Sequence, residues 1–276
     1  MSDKMNEFIE RTIEAAGEAY ISVSRVTTFM QCPQKFYYRY VIHAPQESMS
    51  SALIYGKAGH AGIEAFYVSI RDDRDMSADD VVEHTAGAWE KYLSEAHDQS
   101  SRVSYSSKSG MDNPGAVKDR LTSMIKHWFN YAVMPEEVHT VEQSFRANII
   151  DPRTGEIRKT QLVGIVDAVT SRKGERVLEE HKTAGRKWSE ADFAGSLQAS
   201  VYSACFPETD YMLFNILTKT KRVGLQQQTV WRTETEKKHA ADTICGVMDA
   251  IKSGTHYRIR NWQCKGCAFK RQCLGE

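Results

Sequence analysis

Read by the spacing of its apolar residues, the chain divides into a helical first half, a run of strands and a mixed end. Ser24 caps a predicted helix over 25–31, and Pro33 stops it just beyond Cys32 because proline has no amide to donate. A second helical stretch carries Phe36, Tyr37, Tyr38 and Tyr40. Tyr55-Gly56-Lys57-Ala58-Gly59-His60 then leads into an apolar helical run over 61–70, with its glycines read as a helix start. Two amphipathic helices are expected over 78–96 and 116–133, joined by polar connections at 72–75 and 99–115. The pattern leaves open whether this helical insertion, 72–140, covers a sheet or walls a groove. From Val141 the period falls to two, giving strands over 141–150 and 157–170 around a turn at Asp151-Pro152-Arg153-Thr154-Gly155. A strand over 177–183, a helix over 189–205 and strands over 211–218 and 226–231 complete the order. It predicts an α/β fold, a small mixed sheet flanked by helices, as one domain spanning 1–276.

The strands on either side of Ser171-Arg172-Lys173-Gly174-Glu175 read as a hairpin, with Gly174 suited to the loop. In the second strand Leu178, Glu180 and Lys182 share one face, and Val177, Glu179, His181 and Thr183 share the other. If Ser171 pairs with Arg176 around a four-residue loop, Asp167 falls opposite Glu180. Two adjacent carboxylates repel unless a cation lies between them. Hard oxygen ligands suit Mg²⁺ or Mn²⁺, which polarise a phosphoryl oxygen and acidify a bound water. Lys182 beside such an ion would orient or help deprotonate that water, or offset charge on the phosphate. The same residues also fit an exposed Glu/Lys ladder on a sheet edge, where such pairs contribute about 0–1 kcal/mol.

Lys plus Arg and Asp plus Glu number 36 each among 276 residues, so nucleic-acid contact would have to come from local patches. The basic cluster Lys219, Lys221 and Arg222 reads as a solvated strand end or as a phosphate contact. No stretch reaches transmembrane length, and residues 1–20 lack the pattern of a signal peptide, so an intracellular, cytoplasmic protein is expected. In a reducing compartment the clustering of cysteines argues for metal over disulfides. Cys264-x2-Cys267-x5-Cys273 gives three close thiolates, and Cys32 would make a fourth. Their spacing fits zinc or an iron-sulfur cluster alike. Cys205 and Cys245, within helical stretches, read as small buried residues.

Asp167, twelve intervening residues and then Glu180-His181-Lys182 resemble the Asp…(Asp/Glu)-x-Lys signature of the PD-(D/E)XK nuclease superfamily, and Lys182-Thr183 is similar to its RecB-like branch. Ser24-Arg25-Val26 through Phe29, Cys32-Pro33, Lys35-Phe36 and Tyr38 to Tyr40 resemble that branch's opening motif. Gly56-x-x-x-His60 is similar to the motif that supplies a metal ligand at a helix head, and Gln198-x-x-x-Tyr202 to the motif that contacts DNA. Glu142 stands where some members carry an extra acid, although by itself it reads as an exposed strand glutamate. One distant N-terminal cysteine with three C-terminal ones resembles the [4Fe-4S] arrangement of CRISPR-associated RecB-like exonucleases and AddB-type nuclease domains.

The resemblance implies a metal-dependent DNA nuclease, an exonuclease acting on single strands or ends. His60, Asp167, Glu180 and the backbone carbonyl of His181 would bind Mg²⁺ or Mn²⁺, Lys182 would assist the water, and Gln198 and Tyr202 would position the strand. Cys32, Cys264, Cys267 and Cys273 would hold the cluster, making 258–276 an iron-sulfur region that ties the chain ends together. Partners would be DNA, a second copy of the chain, or proteins of recombination or adaptation. The competing readings are a non-catalytic DNA-binding or assembly subunit and a zinc-containing interaction module.

Overall fold

The structure, a computed structural model, describes residues 20–98, 102–106 and 110–275. Of the segment read for a signal peptide, all but Tyr20 lies outside the described residues.

Helix α1, Val23–Gln31, is capped by Ser22 and not by the expected Ser24: the Ser22 side chain accepts the Arg25 amide at 3.3 Å. Ser22 has the extended backbone that a cap requires, whereas Ser24 already lies within the first turn. Cys32 is extended, and Pro33 starts the short α2, Pro33–Phe36, which runs on as a wider turn over Tyr37–Val41. Helix α3, Ser51–Arg71, begins a full turn earlier than the glycines suggested, because Ser50 accepts the Ala52 amide. His60 therefore sits mid-helix. The glycines serve close packing: a Cβ on Gly56 would come 3.3 Å from Thr183 Oγ1, and one on Gly62 would fall 1.9 Å from Thr85 Oγ1. Helices α4, Ala78–Asp98, and α5, Pro114–Tyr131, lie close to the two helices expected over 78–96 and 116–133.

The sheet has five strands in spatial order of sequence: β1 Glu137–Ala147, β2 Leu162–Arg172, β3 Glu175–Ala184, β4 Tyr211–Thr218 and β5 Gly224–Val230. Neighbours run antiparallel except β3 and β4, which are parallel. A parallel pair needs a crossover. Two helices provide it, α6 Glu190–Ala194 and α7 Leu197–Cys205, where the sequence predicted one. Gly195 ends the first and the Ser196 side chain caps the second. Helix α8, Glu234–Lys252, and the short α9, Lys270–Leu274, follow.

Both faces of the sheet are covered, which explains the almost unbroken apolar run of β4. Leu178, Phe214 and Ile216 pack with α1, α7 and α8 on one face, while Ala168 and Leu217 pack with α3, α4 and α5 on the other. Trp89 of α4 and Leu121 and Trp128 of α5 are fully buried there, each contributing about 1.5–3 kcal/mol or more. Helices α4 and α5 thus cover the sheet, and Tyr92 of α4 also walls the cleft at His60. Among the described residues no helix is long and apolar enough to cross a membrane.

Candidate active site

The turn between β2 and β3 fixes the geometry. Lys173 and Gly174 both have positive φ, 51° and 79°, and Arg172 pairs with Glu175, so the loop has two residues and not four. The expected pairing of Ser171 with Arg176 is nonetheless present. Pairing continues to Ala168 and Glu179, and there β2 leaves β3. In place of a further ladder bond the Asp167 carboxylate accepts the His181 amide at 2.7 Å. An acid at the fork of two strands is thereby fixed in direction by the backbone of the next strand.

Three side chains converge at this fork. His60 Nδ1 of α3 lies 3.6 Å from Asp167 Oδ2. On β1, Glu142 sits between the pairs Val141–Ala168 and Gln143–Val166, which places it across from Asp167. One ligand atom from each of His60, Glu142 and Asp167 lies within 4.8 Å of the other two. Glu142 is half-buried, with φ at 49°, a strained value for a non-glycine residue inside a strand. The reading of Glu142 as an exposed strand glutamate is therefore corrected. Its place depends on a local backbone twist and on a partner strand, neither of which its own neighbours reveal.

Glu180 is 3% exposed, and one of its oxygens takes the Lys182 ammonium. Its other oxygen, Oε2, is buried and accepts no hydrogen bond. Such an orphaned buried acceptor costs about 1–3 kcal/mol or more, and a cation would satisfy it. Lys182, Gln198 and Tyr202 line one cleft of about 520 Å³ with Arg25. His60, Glu142, Asp167 and Thr183 line another of about 410 Å³, and Ile165 borders both. The Tyr202 hydroxyl is anchored on the Ile165 carbonyl at 3.0 Å. The His181 ring lies away from the clefts, edge-on to Tyr67 and Trp128, with both nitrogens buried and unpartnered.

Charge is concentrated and only partly balanced. Burial would lower the His60 imidazole, but Asp167 outweighs it and holds the group up at about 9. Burial likewise works to raise Asp167, yet His60, with His181 and Lys182 behind it, keeps that carboxyl far below the usual range. Glu180 is pushed up to about 7 by burial and by Asp167, against the pull of Lys182. Glu142 also rises to about 7, through burial and then the charges of Asp167 and Glu64. Burial lowers His181 to about 4, so that ring is neutral. Two acids, Glu142 and Asp167, converge with one histidine, a donor set that a divalent ion takes, while Glu180 is held on Lys182 and is not one of that group.

Beneath the fork, on the opposite face of β3, Glu179 is fully buried. It accepts from Tyr67 at 2.8 Å, Thr170 at 2.8 Å, Arg172 Nε at 2.8 Å and Asn215 at 3.0 Å. Sequence reasoning missed this network. The signal available was its alternation with Glu180, which sends it to the inner face, and Arg172, which had been read as part of the loop.

The sequence model of the PD-(D/E)XK nuclease superfamily matches residues 20–274. The chain belongs to that superfamily. No curated protein matches it. Among solved structures, a provisionally named exonuclease from Eubacterium rectale is 13% identical, with 98% of this chain and 93% of that one covered and a TM-score of 0.52. The crystal structure of SSO0001 is 12% identical over 99% and 97%, with a TM-score of 0.35. Membership of the PD-(D/E)XK superfamily makes the chain a nuclease acting on nucleic acid. Superfamily nucleases use divalent metals, and the group His60, Glu142 and Asp167 can bind one.

The other candidate centre is formed by the chain ends. Cys32, Cys264, Cys267 and Cys273 line one cavity of about 480 Å³, together with Tyr38 and Phe269. The Gln34 amide donates to the Tyr257 carbonyl at 3.1 Å and that of Glu47 to Ala268 at 2.9 Å, stitching the two ends around it. None of the six cysteines forms a disulfide. Cys245 is fully buried as expected, and Cys205 is half-buried.

Proposed function

We propose that this chain is a divalent-metal-dependent DNA nuclease of the RecB-like branch, an exonuclease acting on single strands or DNA ends, folded as one domain. The observation that carries the reading is the convergence of His60, Glu142 and Asp167 beside the orphaned Glu180 oxygen and Lys182. His60, Asp167, Glu180 and the His181 carbonyl would hold Mg²⁺ or Mn²⁺, with Glu142 as a further acid. The ion supplies Lewis acidity toward a phosphoryl oxygen and a water that ionises near neutral pH. Lys182, kept charged by Glu180 against the effect of burial, directs its ammonium at the attacking water or at the phosphate. Gln198, one helical turn before Tyr202, faces the same cleft as Lys182 and positions the strand there. Tyr202, tied to Ile165, keeps that wall in place. The four cysteines around their shared cavity fit a [4Fe-4S] cluster, whose role is to tie the chain ends to the core.

The test is incubation of anaerobically purified protein with end-labelled single- and double-stranded DNA in Mn²⁺, Mg²⁺ or chelator, beside Lys182→Ala and Glu180→Ala. Metal-dependent cleavage by the wild type, lost in both variants, is expected. Protein with an intact cluster that cleaves nothing with either ion would overturn the reading and leave a DNA-binding or assembly subunit.

A further inference from the structure

Residues 250–275 hold Lys252, Arg258, Arg260, Lys265, Lys270 and Arg271 and no Asp or Glu, in a chain whose charges cancel overall. All six cations are exposed. Glu47 reaches the segment from elsewhere, and it accepts the backbone amides of Arg271 and Gln272. Among these cations stands Trp262, 84% exposed, with Tyr257 at 56%. An exposed aromatic alone is ordinary. One set in a dense cationic field is the composition of surfaces that stack bases and neutralise phosphates.

The backbone that presents the aromatic is hydrogen-bonded in place. Trp262 opens a tight turn, Trp262–Gly266, in which the Asn261 side chain accepts the Gln263 amide at 2.9 Å. The same turn carries Cys264 to the cysteine cavity, whose lining includes Lys35, Arg258, Arg260 and Lys270 and no carboxylate. Helix α1 connects this end to the active site. Its first turn, with Arg25, lines the cleft of Lys182 and Gln198, and Cys32 follows its last residue. Nine residues span about 13 Å, a distance that a few nucleotides cover.

We propose that the cysteine-bearing end is a second contact surface for single-stranded DNA, with a base stacked on Trp262 and phosphates on Arg258, Arg260 and Lys265. It rests on the reading that the substrate is DNA, and it adds the path along α1 by which a strand reaches the cleft. Charge complementarity and continuity with the cleft favour a nucleic-acid strand as the occupant.

The full-length, cluster-loaded protein is titrated in chelator with fluorescent single-stranded oligonucleotides, one long and one too short to span α1. Trp262→Ala should weaken the long oligonucleotide by about tenfold or more, and Trp262→Phe should recover most of that loss. Arg260→Gln with Lys265→Gln should lower the slope of log affinity against log salt by about 1.4, two phosphate contacts' worth. Cleavage of the short oligonucleotide with Mn²⁺ should be unchanged in all of them. Wild-type binding by Trp262→Ala and the double variant, in protein that still cleaves, would overturn the proposal and leave the nuclease reading standing. So would a Trp262→Phe as weak as Trp262→Ala. Trp262-dependent binding in protein that cleaves nothing would keep this surface and remove hydrolysis.

Discussion

Glu179 and Glu180 are neighbours on one strand, both almost completely buried, and their surroundings are opposite in kind. Around Glu179 both oxygens are satisfied, by a tyrosine, a threonine, an arginine and an asparagine. Glu180 has one oxygen on Lys182 and one with no partner. A buried charge that is fully paired belongs to the scaffold. One left partly unpaired stores free energy that a ligand can release. The period of two in β3 puts the two conditions back to back, so the satisfied acid stiffens the strand that presents the unsatisfied one.

The sharpest way to break this contrast is to truncate each acid. Glu179→Ala should cost about 3–5 kcal/mol in urea unfolding, since it strands Arg172 in the interior. Glu180→Ala should cost no more than about 1 kcal/mol, because Lys182 is 30% exposed and can reach solvent. Equal costs would remove the distinction.

A second test reads protons. In the metal-free protein His60 holds its proton up to about 9, and Glu142 and Glu180 hold theirs up to about 7. Each of these protons competes with an ion. Mn²⁺ affinity should therefore rise with pH, steeply below 7, by about tenfold per unit between 7 and 9, and little above that. Calorimetry in buffers of different ionisation enthalpy would count the protons released. An affinity flat from pH 6 to 9 would exclude His60 as a ligand.

The smallest effect concerns Glu142. Glu142→Gly should relieve the left-handed backbone and the repulsion from Asp167, raising stability by about 1 kcal/mol while weakening Mn²⁺. A loss of stability together with unchanged metal binding would place this residue with the scaffold.

Local rules made much of this site legible. The pairing of Ser171 with Arg176 was legible, although the loop is two residues long and the ladder ends at Ala168–Glu179, one step short of the expected pair of Asp167 with Glu180. A four-residue step put Gln198 and Tyr202 on one face. The close spacing of Cys264, Cys267 and Cys273 was legible, whereas Cys32 joins their cavity from the far end of the chain, a place that only the family resemblance suggested. What escaped depends on residues far away in the chain. The network around Glu179 needs Tyr67 and Asn215, from a helix and a strand that share no local pattern with β3. Glu142 needs a left-handed backbone inside a strand, and the division between α6 and α7 needs Ser196 to cap, where apolar periodicity ran straight through.

The glycines of α3 have a consequence for how the protein tolerates change. Gly62 is two residues from His60, and a methyl group there would meet Thr85 almost at bonding distance. Either Thr85 would turn its hydroxyl aside and give up its bond to the Val81 carbonyl, or the helix would lift away from α4 and carry His60 with it. Damage at position 62 would register as a loss of about 1–3 kcal/mol from the overpacked seam and, where the helix shifts, as a misplaced imidazole and a weakened ion. The seam acts as a ruler that sets the gap between α3 and α4, and through α3 the place of His60.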